Sequence, residues 1–530
     1  MGTSHLQHFP RSTRQTARLR QTLIISVICL AIYCFLLVPE ESLDSSRSDN
    51  PELYRSQPAR PSEQRKGQDD GHSLPPELLG NPFLSEDQCR ESFPGLLKEI
   101  DDEVAKGPFR LVRSPSHLGP LIARIRDGHL YILSATRRAD LSRDMLAHRS
   151  ATLHQIANAL VTWPRPSLSS SSPDSPYAQI PDTTFAFNHH DDPSPMTFSY
   201  SRPADRSSHT DSSTNSQRRY FPIPHFSFYS WGLPTLSSMR SASSLITDLE
   251  IQTPFSQKIP KAIWRGTTWF NSPRAGRLRQ NLVTAFGSHS TSKEPATPPP
   301  EWSDIQPLNA TNGLPIEDFC KYKYIIYTEG VTYSGRFQYH NLCASVVLTP
   351  PIAWMQHLSH LVKPLFSYTL SPSSPDSPSP VRQRSLFSSL FPNSQRPDSQ
   401  PSHGLPRTPI TLGPSEKPPP LAPYPAPWVQ AAWPIEHTAS DANMVFVAPD
   451  WSDLSSTISW LESHPKIAEA IAQRQRDLFH GGGYMSQAAE MCYWRGLISG
   501  WSKVVRLEEG EFQDLEEVPW EEFSLREIHK

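Results

Sequence analysis

Cys320–Leu348 reads CKYKYIIYTEGVTYSGRFQYHNLCASVVL. An apolar run at Tyr324–Thr328 predicts a buried strand, and the small residues from Thr328 to Gly335 predict a loop. Arg336–Cys343 then fits a helix and Ser345–Leu348 a second strand. Strand, loop, helix and strand in this order predict a parallel βαβ unit. Gly330 and Gly335 would let the backbone approach a ligand, and Arg336 would offer a charged fork at the start of the helix. That pattern fits a phosphate or diphosphate; an ordinary βα turn with a solvated arginine fits it too.

The alternation continues downstream. Met444–Val447 reads as a strand and Asp453–Glu462 as a helix, and Pro465 opens a second helix with Ile467, Ala470, Ile471 and Leu478 on one face. Upstream, Ile259–Arg279 (IPKAIWRGTTWFNSPRAGRLR) sets Arg265, Arg274, Arg277 and Arg279 around Gly266 at a strand end. Two such loops at neighbouring strand ends would form a diphosphate cleft; a solvated basic helix face is the other reading. Earlier still, Leu121–Ala123 and His129–Leu133 flank Asp127-Gly128, a hairpin signal. Met145 to Trp163 reads as a helix. Thr184–Asn188 reads as a short strand running into His189-His190-Asp191-Asp192. A carboxylate at a strand end suits a general base. The two His and two Asp could also bind a metal, although adjacent strand positions face opposite ways. No Asp-x-Asp triplet is present.

Composition bounds the rest. The 530 residues include 55 prolines, about twice the usual share, and only 37% are hydrophobic. Part of the chain therefore packs no core. A net charge of −3 argues against a nucleic-acid partner. The uncharged run from Thr22 to Val38 follows Arg11, Arg14, Arg18 and Arg20 and precedes Glu40 and Glu41. This predicts a signal-anchor with a cytosolic tail over 1–21, a transmembrane helix over 22–38 and the remainder lumenal. A cleaved signal peptide is the competing reading, but the run is long for one and Leu36-Leu37-Val38-Pro39-Glu40 lacks a small-residue cleavage site. A short span suits the endoplasmic reticulum or Golgi membrane. Residues 39–80 read as a stem. The expected domains are 81–245, carrying the base, and 246–530, carrying the donor site.

The Ser/Pro-rich stretches Ser167–Ser175, Ser194–Ser216, Ser288–Pro300 and Leu370–Pro427 read as disordered insertions. His480-Gly481-Gly482-Gly483 reads as a helix end followed by a turn, because no Gly-x-Ser-x-Gly supplies a hydrolase nucleophile. Four cysteines lie beyond the apolar run. A helix that returns antiparallel to its strand brings Cys320 beside Cys343, which leaves Cys89 for Cys492. Asn309-Ala310-Thr311 is an N-glycosylation sequon.

Taken together, Cys89 with Phe93-Pro94-Gly95-Leu96, Asn188 with Asp191-Asp192-Pro193, Pro224-His225-Phe226-Ser227-Phe228, Trp264-Arg265-Gly266, Thr328-Glu329-Gly330, Tyr333-Ser334-Gly335-Arg336 and Cys492-Tyr493-Trp494 resemble glycosyltransferase family 90. That family includes fungal capsule-associated xylosyltransferases and animal protein O-glucosyltransferases. The resemblance implies an α/β protein of GT-B type, with two Rossmann-like domains, that moves a sugar from a UDP-sugar to a glycan or protein hydroxyl with inversion. It implies Asp191 as catalytic base, with Val331, Thr332, Tyr333, Ser334, Gly335 and Arg336 forming the donor loop. Thr267 and one of Arg274 or Arg277 would be further donor contacts, and Arg265 would help to stabilise the diphosphate. The same two disulfides are implied; no cofactor is expected beyond the UDP-sugar co-substrate, no metal-ligand set is assigned, and dependence on a divalent metal stays open. An inactive relative that binds a lumenal glycan or protein is the alternative function.

Overall fold

The computed structural model describes residues 74–529 apart from 115, 117, 165–178, 206–217, 234, 273–275, 288–297 and 371–424. The expected span over 22–38, the stem as far as residue 73, the stretch Ser167–Ser175 and Arg274 lie outside the described residues. Among the described residues no helix is long and apolar enough to cross a membrane.

Two six-stranded sheets organise the chain. In the first described here, the strands run in the order Pro364–Phe366, Met444–Phe446, Val346–Thr349, Tyr322–Ile326, Ile259–Gly266 and Ser303–Pro307. Every pairing is parallel, with Tyr324 opposite both Val346 and Ala262. Alternate residues serve opposite faces. Ala262, Trp264, Tyr324, Ile326, Val346 and Leu348 pack on the helices Leu278–Phe286, Leu454–Ser463 and Pro465–Arg476, while Ile263, Ile325 and Val347 join the larger core. Pro465 is at the first helical turn, as expected. The helix expected over Arg336–Cys343 is a single turn, Phe337–His340, closed by Asn341 donating to the Phe337 carbonyl. It is too short to present a helix-dipole anion site, so that part of the expectation does not hold.

The second sheet runs Val518–Pro519, His129–Ser134, Leu121–Arg126, Thr183–Phe187, Phe198–Ser199 and Phe221–Pro222. Its first three pairings are antiparallel and its last two parallel. The expected hairpin is present: Asp127 and Gly128 adopt φ 52° and 75°, the left-handed pair of a two-residue turn. Such a turn permits only antiparallel neighbours, so this sheet departs from an all-parallel Rossmann-like layer. A mixed α/β architecture holds for both sheets.

Two further expectations change. Ser194–Asp205 is ordered and mostly buried, not a disordered insertion: it forms the strands Phe198–Ser199 and Arg202–Pro203. Its hydroxyls satisfy one another, with the Thr197 and Ser199 hydroxyls 2.9 Å apart and Ser194 N–H donating to Ser199 Oγ at 3.2 Å. Only 206–217 of that stretch lies outside the described residues. The sheets also do not follow the 245/246 split expected along the sequence. The helix Gln487–Val504 returns to the hairpin sheet, where Trp501 donates to the Thr184 carbonyl at 3.0 Å and Trp494 to Gln155 Oε1 at 3.0 Å. Val505–Arg506 then pairs with Phe109–Arg110, and Val518–Pro519 forms the sheet edge.

Both disulfides form as expected, Cys89–Cys492 with Cα atoms 5.6 Å apart and Cys320–Cys343 with 5.0 Å. The segment at His480 is a π-turn ending the helix Pro465–Arg476, with Gly483 in the left-handed region.

Candidate functional site

The site assembles where strands end. Ile259–Gly266 and Tyr322–Ile326 are parallel neighbours, so the loops after Gly266 and Ile326 leave from the same edge. Arg279 binds them together from the first turn of the helix Leu278–Phe286. Its guanidinium donates to the carbonyls of Glu329 (2.9 Å), Thr267 (3.2 Å) and Thr328 (3.3 Å). Its backbone N–H donates to Asn271 Oδ1 at 3.0 Å, which fixes the longer loop through Trp269 and Phe270. Glu329, in turn, accepts from the N–H groups of Ala353 and Trp354 at 3.0 and 2.8 Å.

Arg336 comes from the second loop and donates to the Arg265 carbonyl. Burial depresses both guanidiniums, Arg279 to about 9 with Arg336's charge contributing, and Arg336 to about 10. Both remain cations at neutral pH. Among the described residues neither has a carboxylate at ion-pair distance, in contrast to Arg265, which binds Asp304 Oδ1 at 2.7 Å and the carbonyls of Trp264 and Asp304. The Arg265 side chain therefore holds two strands together, and its carbonyl, not its charge, serves the loop. Arg277 is exposed at the start of the same helix as Arg279, and Thr267 is half-buried at the end of its strand.

Residues Val331 to Arg336 form a folded loop. Gly330 N–H donates to the Tyr333 carbonyl at 3.3 Å and Ser334 N–H to the Tyr327 hydroxyl at 3.1 Å. Gly335 is dictated by close approach. A Cβ there would lie 2.5 Å from the His225 ring and 2.8 Å from Trp231. The loop thus presses on the segment Pro224–Phe228, where His225 Nδ1 caps the 3-10 turn by accepting from Ser227 N–H at 3.2 Å. On the side where a Cβ would stand, the Gly335 backbone approaches aromatic side chains.

Asp191 reaches the loop from the hairpin sheet. The buried strand Thr183–Phe187 delivers Asn188, whose side chain donates to the Asp192 carbonyl at 2.6 Å and accepts from His190 N–H at 3.2 Å. That closed turn leaves Asp191 exposed, and the Thr332 hydroxyl donates to its carbonyl at 2.9 Å across 141 residues of sequence. The Asp191 charge helps to hold the buried Tyr200 and Tyr333 phenols well above their ordinary range, after burial itself.

His189 is buried while Asp191 and Asp192 are exposed, so the four residues His189–Asp192 do not converge as a ligand set. The one cluster with ligand-atom spacing among the described residues, Glu250 with Cys320 and Cys343, has both sulfurs bonded to each other. Asn309 is exposed, with Oδ1 accepting from Thr311 N–H and its hydroxyl, each at 2.8 Å. Of the aromatic candidates after His225, Phe228 is core, Tyr229 stacks on His154 at 4.6 Å, and Trp231 faces the loop.

Arg279 is the residue that sequence reasoning noticed but did not assign. The signal was available: it shares a helix face with Leu282, Val283 and Phe286, where an arginine is out of place unless its head group is held.

Arg336 on the second strand-end loop and Arg279 on the helix after the first are, among the described residues, two cations without a carboxylate at ion-pair distance, and Thr332 ties the same loop to the main chain of the candidate base Asp191. Residues 175–377 match the model of glycosyl transferase family 90. The resemblance carried by the motifs is borne out over that stretch, which holds Asp191, Arg279 and the whole loop Val331–Arg336, and it implies glycosyltransferase activity. No curated protein matches the chain.

Proposed function

We propose that this protein is a single-pass type II membrane glycosyltransferase of GT-B type, with its catalytic part in the lumen of the Golgi or endoplasmic reticulum. It transfers a sugar, xylose or glucose, from a UDP-sugar to a hydroxyl of a glycan or protein, inverting the anomeric configuration. The observation that carries this reading is the Arg279–Arg336 pair. Burial and the charge of Arg336 lower the Arg279 guanidinium, Tyr327 and the Glu329 carboxylate oppose this only in part, and a diphosphate bound between the two cations would favour both charges.

In the reaction Asp191 accepts the proton of the acceptor hydroxyl. The oxygen attacks the anomeric carbon, and the bond to the UDP oxygen breaks with its electron pair leaving on UDP. Arg336 faces the diphosphate where negative charge grows, with Arg279 holding the loop and adding field. Thr267 and one of Arg274 or Arg277 are further donor contacts. No cofactor is required on this reading. The charge asymmetry around 22–38, the two disulfides and the Asn309 sequon support the lumenal placement.

The test uses the full chain, purified with its disulfides intact and supplied with a panel of UDP-sugars and cell-wall glycan or protein acceptors. UDP release from one donor, unaffected by EDTA and lost in Asp191→Asn, is the expected result. Folded protein that binds acceptor yet releases no UDP with any pair would instead establish the binding-component reading.

A further inference from the structure

Thr332 lies within the loop expected to touch the donor, yet its side chain is 1% exposed and turned away from solvent. Its hydroxyl is closed on the Asp191 carbonyl at 2.9 Å. The two residues on either side of it behave differently. Val331 is exposed, and Tyr333 buries its ring beside Tyr200 with ring centroids 6.0 Å apart. Behind the loop, Gly335 is wedged against His225 and Trp231. The loop is therefore fixed at two points to the half of the molecule that carries Asp191: by packing at Gly335, and by a directional bond at Thr332.

We infer that Thr332 is a positioning residue: the donor loop itself holds the general base, through the hydroxyl of Thr332 bound to the carbonyl of Asp191. This rests on the transferase reading above and deepens it. A hydroxyl bonded to the main chain of the base contributes nothing to donor affinity directly. It fixes where the carboxylate stands relative to the sugar held by the same loop. Alignment of base and electrophile is then set within one short segment, although the two groups come from different sheets.

The experiment compares Thr332→Val, which keeps the shape and removes the donor, with Thr332→Ser, which keeps the donor. Both are made in the full chain with melting temperatures recorded. UDP-release rates at saturating donor and acceptor give kcat, and calorimetry with UDP gives the donor-side Kd. Thr332→Val is expected to lower kcat about tenfold and to leave the UDP Kd within about twofold. Thr332→Ser is expected to retain most of the wild-type kcat. In an Asp191→Asn background Thr332→Val is expected to lower the residual rate no further, because its effect passes through the carboxylate.

Equal losses in the valine and serine variants would overturn the inference, as would a UDP Kd that weakens in step with kcat, or an unchanged kcat in Thr332→Val. If the valine variant fails to fold, Thr332→Ala carries the same comparison with serine. Wild-type turnover in Asp191→Asn would instead remove the base, and the transferase mechanism with it. Impaired Asp191→Asn beside an unimpaired Thr332→Val would remove only the role of Thr332.

Discussion

In the parallel sheet all six strands run the same way, and two cations gather at their ends, Arg336 on a loop and Arg279 in the first turn of a helix. The hairpin sheet mixes directions and delivers the exposed carboxylates Asp191 and Asp192 on a turn closed by Asn188, with Asp191 the one tied to the loop through Thr332. The first is a repetitive scaffold that presents several backbone ends at once. The second is an irregular scaffold that presents one short turn at one point. Anion binding gains from many aligned groups, whereas proton transfer needs one group correctly placed. On the proposed function, the difference in architecture matches a difference in task.

The sharpest way to break this division is to disable each side and read both properties. Asp191→Asn should lower UDP-release turnover roughly 10²–10⁴-fold while leaving the UDP Kd and the melting temperature near wild type. A parallel loss of UDP binding would place donor binding on the hairpin side and end the comparison. Arg336→Ala should do the reverse, weakening UDP binding on the order of 100-fold by calorimetry, because a charge-assisted contact to phosphate is removed. Unchanged UDP affinity there would take the parallel sheet out of donor recognition.

The disulfides offer a third probe. Cys89–Cys492 spans 403 residues within the hairpin side and Cys320–Cys343 spans 23 within the parallel side. Chain entropy predicts that replacing the first pair by serine costs about 2.5 kcal/mol more stability than replacing the second. Denaturant melts of the two double variants check the order, and equal costs would refute it.

The smallest expected effect is on pH dependence. Burial holds His148 and His480 down to about 4 and His357 to about 3. The folded state keeps them neutral, so their contribution is complete above about 6.5 and is lost as pH falls toward 4. Glu490, in the helix Gln487–Val504, runs the other way. Burial raises it from 4.5 to about 8, with Arg240 only partly opposing. Its contribution is present below about 4.5 and fades as pH rises through 8. Glu490→Gln should therefore flatten the decline in melting temperature between pH 5 and 8 by a few degrees at most, without altering the acid limb. A variant whose melting temperature declines as steeply as wild type would show that Glu490 does not carry that limb.

The same contrast explains what could be read from the sequence. Strands such as Tyr322–Ile326 and Val346–Thr349 are buried on both faces, so they appear as short apolar runs punctuated by glycine and proline. The strands Phe198–Ser199, Arg202–Pro203 and Phe221–Pro222 have two residues each. No periodicity exists in two residues, and the serines around them resemble a linker until their hydroxyls are seen to pair. At the site, Asp191 and Arg336 carry their chemistry in their residue type. Arg265 carried the same type but is paired with Asp304, 39 residues away in sequence and adjacent only through the pairing of their strands. The bond from Thr332 to Asp191 had no local signal, since either partner alone is an ordinary loop residue.

The return of Gln487–Val504 and Val518–Pro519 to the hairpin sheet also sets an order of events during synthesis. Residues near Cys89 leave the ribosome some four hundred positions ahead of the helix that covers them. Until that helix arrives, the surfaces that later receive Trp494 and Trp501 stay open, and the Cys89 thiol has no native partner. The parallel sheet can close by the time Met444–Phe446 has emerged. The half of the molecule made first is thus completed last, and for most of the time of translation its apolar surface waits uncovered.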